Sequence, residues 1–116
     1  MTSCEKYSFD GVYENGLIGK WEWIESCGGL IGGCWYPTID DKEQIEFTSN
    51  HRYLRTLNGT RIFNEPYTLG DSYQSGNLKY YEISFNTKWS SVFWFDDKET
   101  LEMVGGDFVE KFKRIK

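Results

Sequence analysis

Between residues 17 and 115 apolar and polar side chains alternate in short runs separated by turn formers, which is the period-two pattern of half-buried strands. Eight such runs are predicted, over 17–26, 44–48, 52–57, 60–69, 78–86, 91–95, 100–104 and 108–115. In the second, Ile45 and Phe47 share a face; in the fifth, Tyr81, Ile83 and Phe85 do. Ser49-Asn50-His51 turns the second run into the third. Asn58-Gly59, two residues that tolerate positive φ, turns the third into the fourth. Pro66 cannot donate to a ladder, so it predicts an edge or a bulge in the fourth run. The polar stretch GDSYQSGN, 70–77, reads as a loop, and 96–99 and Gly105-Gly106-Asp107 read as turns. No helical period of useful length appears; at most 39–43 forms a turn.

Connectors this short make consecutive strands antiparallel neighbours. Closing the meander removes the edges that invite aggregation. The expected fold is therefore all-β, a single eight-stranded antiparallel up-and-down barrel with little or no helix. An interior of that width is either filled by side chains or holds one small ligand. Residues 1–16, MTSCEKYSFDGVYENG, keep no period and are expected to be a tether or lead-in, with 17–116 forming the barrel domain.

Composition sharpens this picture. Aromatic residues make up 18% of the 116 and alanine is absent, which favours strands over helices and suits either a pleated core or a pocket for apolar molecules. A formal charge of -5 opposes binding to nucleic acid or anionic lipid, since both are recognised by neutralising phosphates. No apolar run is long enough to span a bilayer as a helix.

Three cysteines leave one over from any internal pairing. Cys27 and Cys34 flank the flexible GGLIGG and are expected to join in an oxidising compartment. Cys4, in Thr2-Ser3-Cys4, resembles the end of a bacterial lipobox. That resemblance implies a mature or trimmed chain, anchored by lipid at Cys4 rather than by a membrane span; a plain free cysteine is the other reading.

Gly19-Lys20-Trp21 resembles the G-x-W signature on the first strand of lipocalins, the calycin fold. The wider pattern, GKWEWIESCGG followed by Ile45-Glu46-Phe47 and a Tyr53 strand, is similar to small lipocalin-like domains in envelope lipoproteins of Bacteroidetes. The resemblance implies a lipocalin-like protein of the cell envelope, in the periplasm or on the outer-membrane surface. It implies that Gly19, Trp21 and Arg114 close the barrel, a late cation lying on the indole; a solvated Arg114 is the alternative. The chain departs from lipocalins in lacking a T-D-Y motif and a candidate for their C-terminal helix.

Two functional expectations follow. In the first, the barrel binds a small apolar or amphipathic ligand lined by Trp23, Tyr53, Arg55, Tyr67, Tyr81 and Trp94, with Trp35 and Tyr36 at the mouth and Arg55 fixing orientation. In the second, the barrel is filled, and its surface or loops contact a protein or glycan partner. The Cys27 to Cys34 loop is either a lid with apolar tips or a segment folded onto the core. The single histidine, His51, falls in a turn, so no nucleophile and base pair is predicted and the protein is not expected to be an enzyme. Asp40-Asp41 and Asp96-Asp97 also fall in turns. Two cysteines seven positions apart without a nearby histidine predict no zinc site, and GGLIGG lacks the Lys-Ser/Thr of a phosphate loop, so no metal or cofactor is expected.

Overall fold

A computed structural model of the chain describes residues 16–29, 32–86 and 89–115. Apart from Gly16, the lead-in expected over 1–16 lies outside these residues, as do Cys4 and the loop residues Leu30 and Ile31.

The strands, in chain order, are β1 (Gly19–Gly28), β2 (Gly33–Trp35), β3 (Glu43–Phe47), β4 (Arg52–Leu57), β5 (Thr60–Ser75), β6 (Leu78–Phe85), β7 (Trp89–Asp97), β8 (Thr100–Gly105) and β9 (Phe108–Ile115). Leaving β2 aside, each pairs antiparallel with the next, and β9 returns to β1 in a register running from Lys20↔Ile115 to Gly28↔Phe108. The result is a closed eight-stranded antiparallel barrel with one added strand, as the alternation predicts. Among the described residues β2 pairs only with the far end of β1, where Cys27↔Cys34 face each other.

Of four register shifts in the ladders, two change what the sequence pattern predicts. In β1 the register against β9 shifts between Trp23 and Glu25, so Trp23 stays opposite Phe112 while Glu25 falls opposite Lys111. This bulge sends Glu25 outward, where strict alternation expects it beside the tryptophans, and brings Ser26 to the inner face opposite Glu110. In β5 the stretch expected as a loop at 70–77 continues the strand to Ser75, with the register shifting between Leu69 and Ser72. Both faces of this two-stranded ribbon are exposed, which is why its residues are polar and lack a period. Pro66 sits where β5 exchanges neighbours: Arg52↔Pro66 is the lowest pair with β4, and Tyr67↔Phe85 opens the ladder with β6.

The end where β1 starts and β9 finishes is taken as the lower end. There the interior is solid. Leu17, Trp21, Phe47, Ile83, Phe85, Phe93, Leu101 and Phe112 are fully buried, with Tyr53, Tyr67, Tyr81 and Met103 nearly so. Each such side chain contributes about 1.5–3 kcal/mol by leaving water. Phe47 meets Tyr53 and Tyr67 with centroids 5.3 Å away in each case, and Tyr53 meets Phe85 at 4.7 Å. Gly16 and Leu17 have helical geometry and precede β1; the Leu17 carbonyl accepts the Trp21 indole N–H at 3.0 Å. Gly19 has φ of 137°, and a Cβ there would stand 2.9 Å from Arg114 Nη1. Only glycine satisfies both constraints, so Gly19 admits the arginine to the floor of the barrel.

Candidate functional site: a polar cup in the upper barrel

Above this aromatic floor the inward positions turn polar. Alternation places Glu43 two residues before Ile45, Arg55 opposite Ile45, and Glu110 two residues before Phe112. These three side chains meet inside the barrel. Arg55 donates from Nε to Glu43 Oε2, from Nη2 to Glu110 Oε2 at 2.9 Å, and from Nη1 to Tyr53 Oη at 3.0 Å. Its guanidinium carbon lies 5.9 Å from the centre of the Phe112 ring. One cation thus ties β3, β4 and β9 together across the interior.

Solvent still reaches this cluster. Side-chain exposures are 15% for Arg55, 21% for Glu43 and 22% for Glu110. Burial opposes the Arg55 charge, but the Glu110 and Glu43 carboxylates outweigh it and hold the guanidinium pKa above its ordinary value. Burial raises the Tyr53 pKa, against the pull of Arg55, so the hydroxyl stays neutral. Breaking such a cluster costs more than making it contributes, because removing one partner strands the others in a low-dielectric site.

The wall around the cluster mixes apolar and polar groups. Trp23 donates its indole N–H to Ser26 Oγ at 2.7 Å. Phe63 stands opposite Arg55, and Leu57 opposite Glu43. Trp35 meets Phe108 edge-on with centroids 5.1 Å apart. Glu65 stands opposite Tyr53 and two residues before Tyr67, hence on the inner face; its Oε2 is buried without a hydrogen-bond partner. The upper barrel is therefore a cup with an aromatic floor, one shielded cation, three carboxylates and an apolar rim. Comparison of the chain with protein-family models, with curated proteins and with solved structures found no match.

The cup gathers Trp23, Tyr53 and Arg55, while Tyr67 and Tyr81 lie in the solid core around and below it. Trp35 stands at the rim. Trp94, expected among the lining residues, is corrected to the outer face: it pairs with Glu102 beside the buried Phe93, and its indole donates to Glu102 Oε2 at 3.3 Å. The run Phe93-Trp94-Phe95 is apolar throughout, so its pattern does not say which aromatic turns outward. Tyr36, expected at the mouth, is 62% exposed and instead bonds Glu25 on the outside, which raises its pKa, the Glu25 charge adding to the effect. The bulge after Trp23 is responsible, because it puts Glu25 outside. Glu43, Glu110 and Glu65 were not among the expected site residues. The signal available for them was a carboxylate in step with an inward apolar position, and it is legible only once the register is known.

The outer face of β7, β8, β9 and β1 carries a second charged network. Lys111 lies 3.7 Å from Glu25 and 3.9 Å from Asp96. Glu102 is pushed up to about 7 by partial burial, then by the hydrogen bond and charge of Asp96. His51 meets Tyr67 edge-on with centroids 5.6 Å apart, beside an open groove of about 550 Å³ that includes Arg52, Pro66 and Thr68. Among the described residues the two cysteines, Cys27 and Cys34, are joined in a disulfide.

Proposed function

We propose that the protein is a non-enzymatic, lipocalin-like binding barrel that takes a small amphipathic molecule into its upper cup. The observation that carries this reading is the Arg55, Glu43, Glu110 and Tyr53 cluster, which occupies an interior that apolar side chains fill elsewhere. A barrel selected only for stability gains more from packing that volume with hydrophobic residues. Oriented polar groups under an apolar rim are what a selective small-molecule site uses. The apolar body of the ligand rests against Trp23, Phe63 and Phe108, and its polar head meets the cluster. With one cation among three inward carboxylates, a head that donates hydrogen bonds is favoured over an anionic one.

The same reading places the protein in the cell envelope, anchored through Cys4 as a lipoprotein of the Bacteroidetes type. The Cys27 to Cys34 disulfide supports an oxidising compartment. No helix among the described residues is long and apolar enough to cross a membrane.

Native mass spectrometry of the protein purified without detergent tests the binding reading. A mass excess of one small molecule per chain, lost in Arg55→Met, supports it. A bare chain that takes up no amphiphile overturns it and leaves a filled barrel meeting a protein or glycan through its surface. The half-exposed Trp35 and the exposed Tyr36 favour that second reading.

A further inference from the structure

We infer that the outer face of the β1–β2 hairpin becomes a binding site for one zinc-type divalent cation when the Cys27 to Cys34 disulfide is reduced. Glu25 and Cys27 are two positions apart beyond the bulge and so share the outer face of β1. Cys34 is directly across from Cys27, with Cα atoms 4.1 Å apart. Tyr36 follows two positions after Cys34 and is hydrogen-bonded to Glu25. Two sulfurs, a carboxylate and a phenol therefore stand at the corners of one small patch. The Glu25, Cys27 and Cys34 ligand atoms already lie within 4.8 Å of one another. Tetrahedral zinc with bonds of about 2.3 Å to sulfur needs its two sulfurs roughly 3.8 Å apart, a spacing that side-chain rotation supplies from opposed positions.

In the oxidised protein the sulfurs are bonded to each other and make poor ligands. A dithiol reductant opens the site: its thiolate attacks the exposed Cys34 sulfur, the mixed disulfide resolves, and two electrons pass to the cysteine pair as the dithiol becomes a cyclic disulfide. The cation then displaces the two thiol protons. Two thiolates and Glu25 bring the complex to a net charge of −1, and Lys111, 3.7 Å from Glu25, balances it. Solvent or the Tyr36 hydroxyl completes the four ligands. The spacing of the cysteines along the chain hides this site because its third ligand comes from the hairpin register. β2 is additional to the cycle of strands that closes the barrel, since β1 also pairs with β3 and β9, so opening the disulfide leaves the closing ladder in place.

Titration of the full chain with Co²⁺ and Zn²⁺ tests the inference, with Cys4→Ser as the background to remove the third thiol. A water-soluble phosphine reduces the disulfide and is removed before the metal is added. The expected result is one metal per reduced chain, thiolate-to-cobalt charge-transfer bands of two-sulfur intensity, and no binding to the oxidised chain. Glu25→Gln should weaken binding by about tenfold or more while near-ultraviolet circular dichroism shows the barrel folded. Absence of stoichiometric binding to the reduced chain overturns the inference. Equal affinity in Glu25→Gln also overturns it, because it shows two loose thiols in place of the built site.

Discussion

The guanidinium carbon of Arg114 lies 4.2 Å from the centre of the Trp21 ring, and the two residues are also paired across β1 and β9. The same guanidinium donates to the carbonyls of Gly16, Ile18 and Lys98 and lies 3.5 Å from Glu99. One side chain therefore covers the indole and satisfies backbone acceptors where the first and last strands meet. Arg114→Ala should cost about 1–3 kcal/mol in urea unfolding, from the lost cation on an aromatic face and the stranded carbonyls. Arg114→Lys should recover less than half, because a point charge cannot make the same fork of hydrogen bonds.

Within the cup, Arg55→Met should destabilise by roughly 3–5 kcal/mol, because Glu43 and Glu110 lose their shared partner. Adding Glu43→Gln and Glu110→Gln to Arg55→Met should return most of that loss. If the single change is silent, the cluster contributes nothing to holding β3, β4 and β9 together.

The raised pKa of Glu102 gives a pH dependence whose sign is fixed. Its folded value of about 7 exceeds the ordinary 4.5, so between those values the folded state binds more protons than the unfolded state. Stability should therefore fall as pH rises from about 4.5 to 7, and the penalty should persist above 7. Since Glu102 is only partly buried, solvent screening keeps the effect below about 1 kcal/mol. Glu102→Gln should match the parent at pH 4 and exceed it at pH 8 when chemical unfolding is compared at the two values.

The Asn58-Gly59 turn was legible from composition, and both residues adopt the expected positive φ, 51° and 86°. Its tie to the segment before β3 was not: Asn58 Oδ1 accepts the Lys42 N–H at 2.7 Å, and the Asn58 N–H donates to the Lys42 carbonyl at 2.7 Å. Asn58→Ala should cost about 1–2 kcal/mol in urea unfolding, more than a free-standing hairpin turn would lose.

Strand order and closure were readable because short connectors and alternation leave few topologies open. What the alternation could not carry was the consequence of one inserted residue. Ile24 shifts the β1 register, turning Glu25 out and Ser26 in, and every assignment near the mouth depends on that step. Trp94 was misassigned for a related reason: three consecutive aromatics have no polar partner to mark the outer face. Gly19, Trp21 and Arg114 were legible as a group only through the resemblance of Gly19-Lys20-Trp21 to the G-x-W signature, which left a solvated Arg114 open; the structure lays the guanidinium on the indole. The cup was half visible, through Tyr53 and Arg55. Its carboxylates emerge only when β3 and β9 are placed around Arg55.

The most direct test of the cup is nitrogen-resolved NMR during titration with decanol, decylammonium and decanoate. Decanol or decylammonium should move the Arg55 Nε–H and Trp23 Nε1–H signals in a saturable way, while the Trp21 and Trp94 indole signals stay in place. Movement confined to Trp94, or no saturable movement with any of the three, would contradict it.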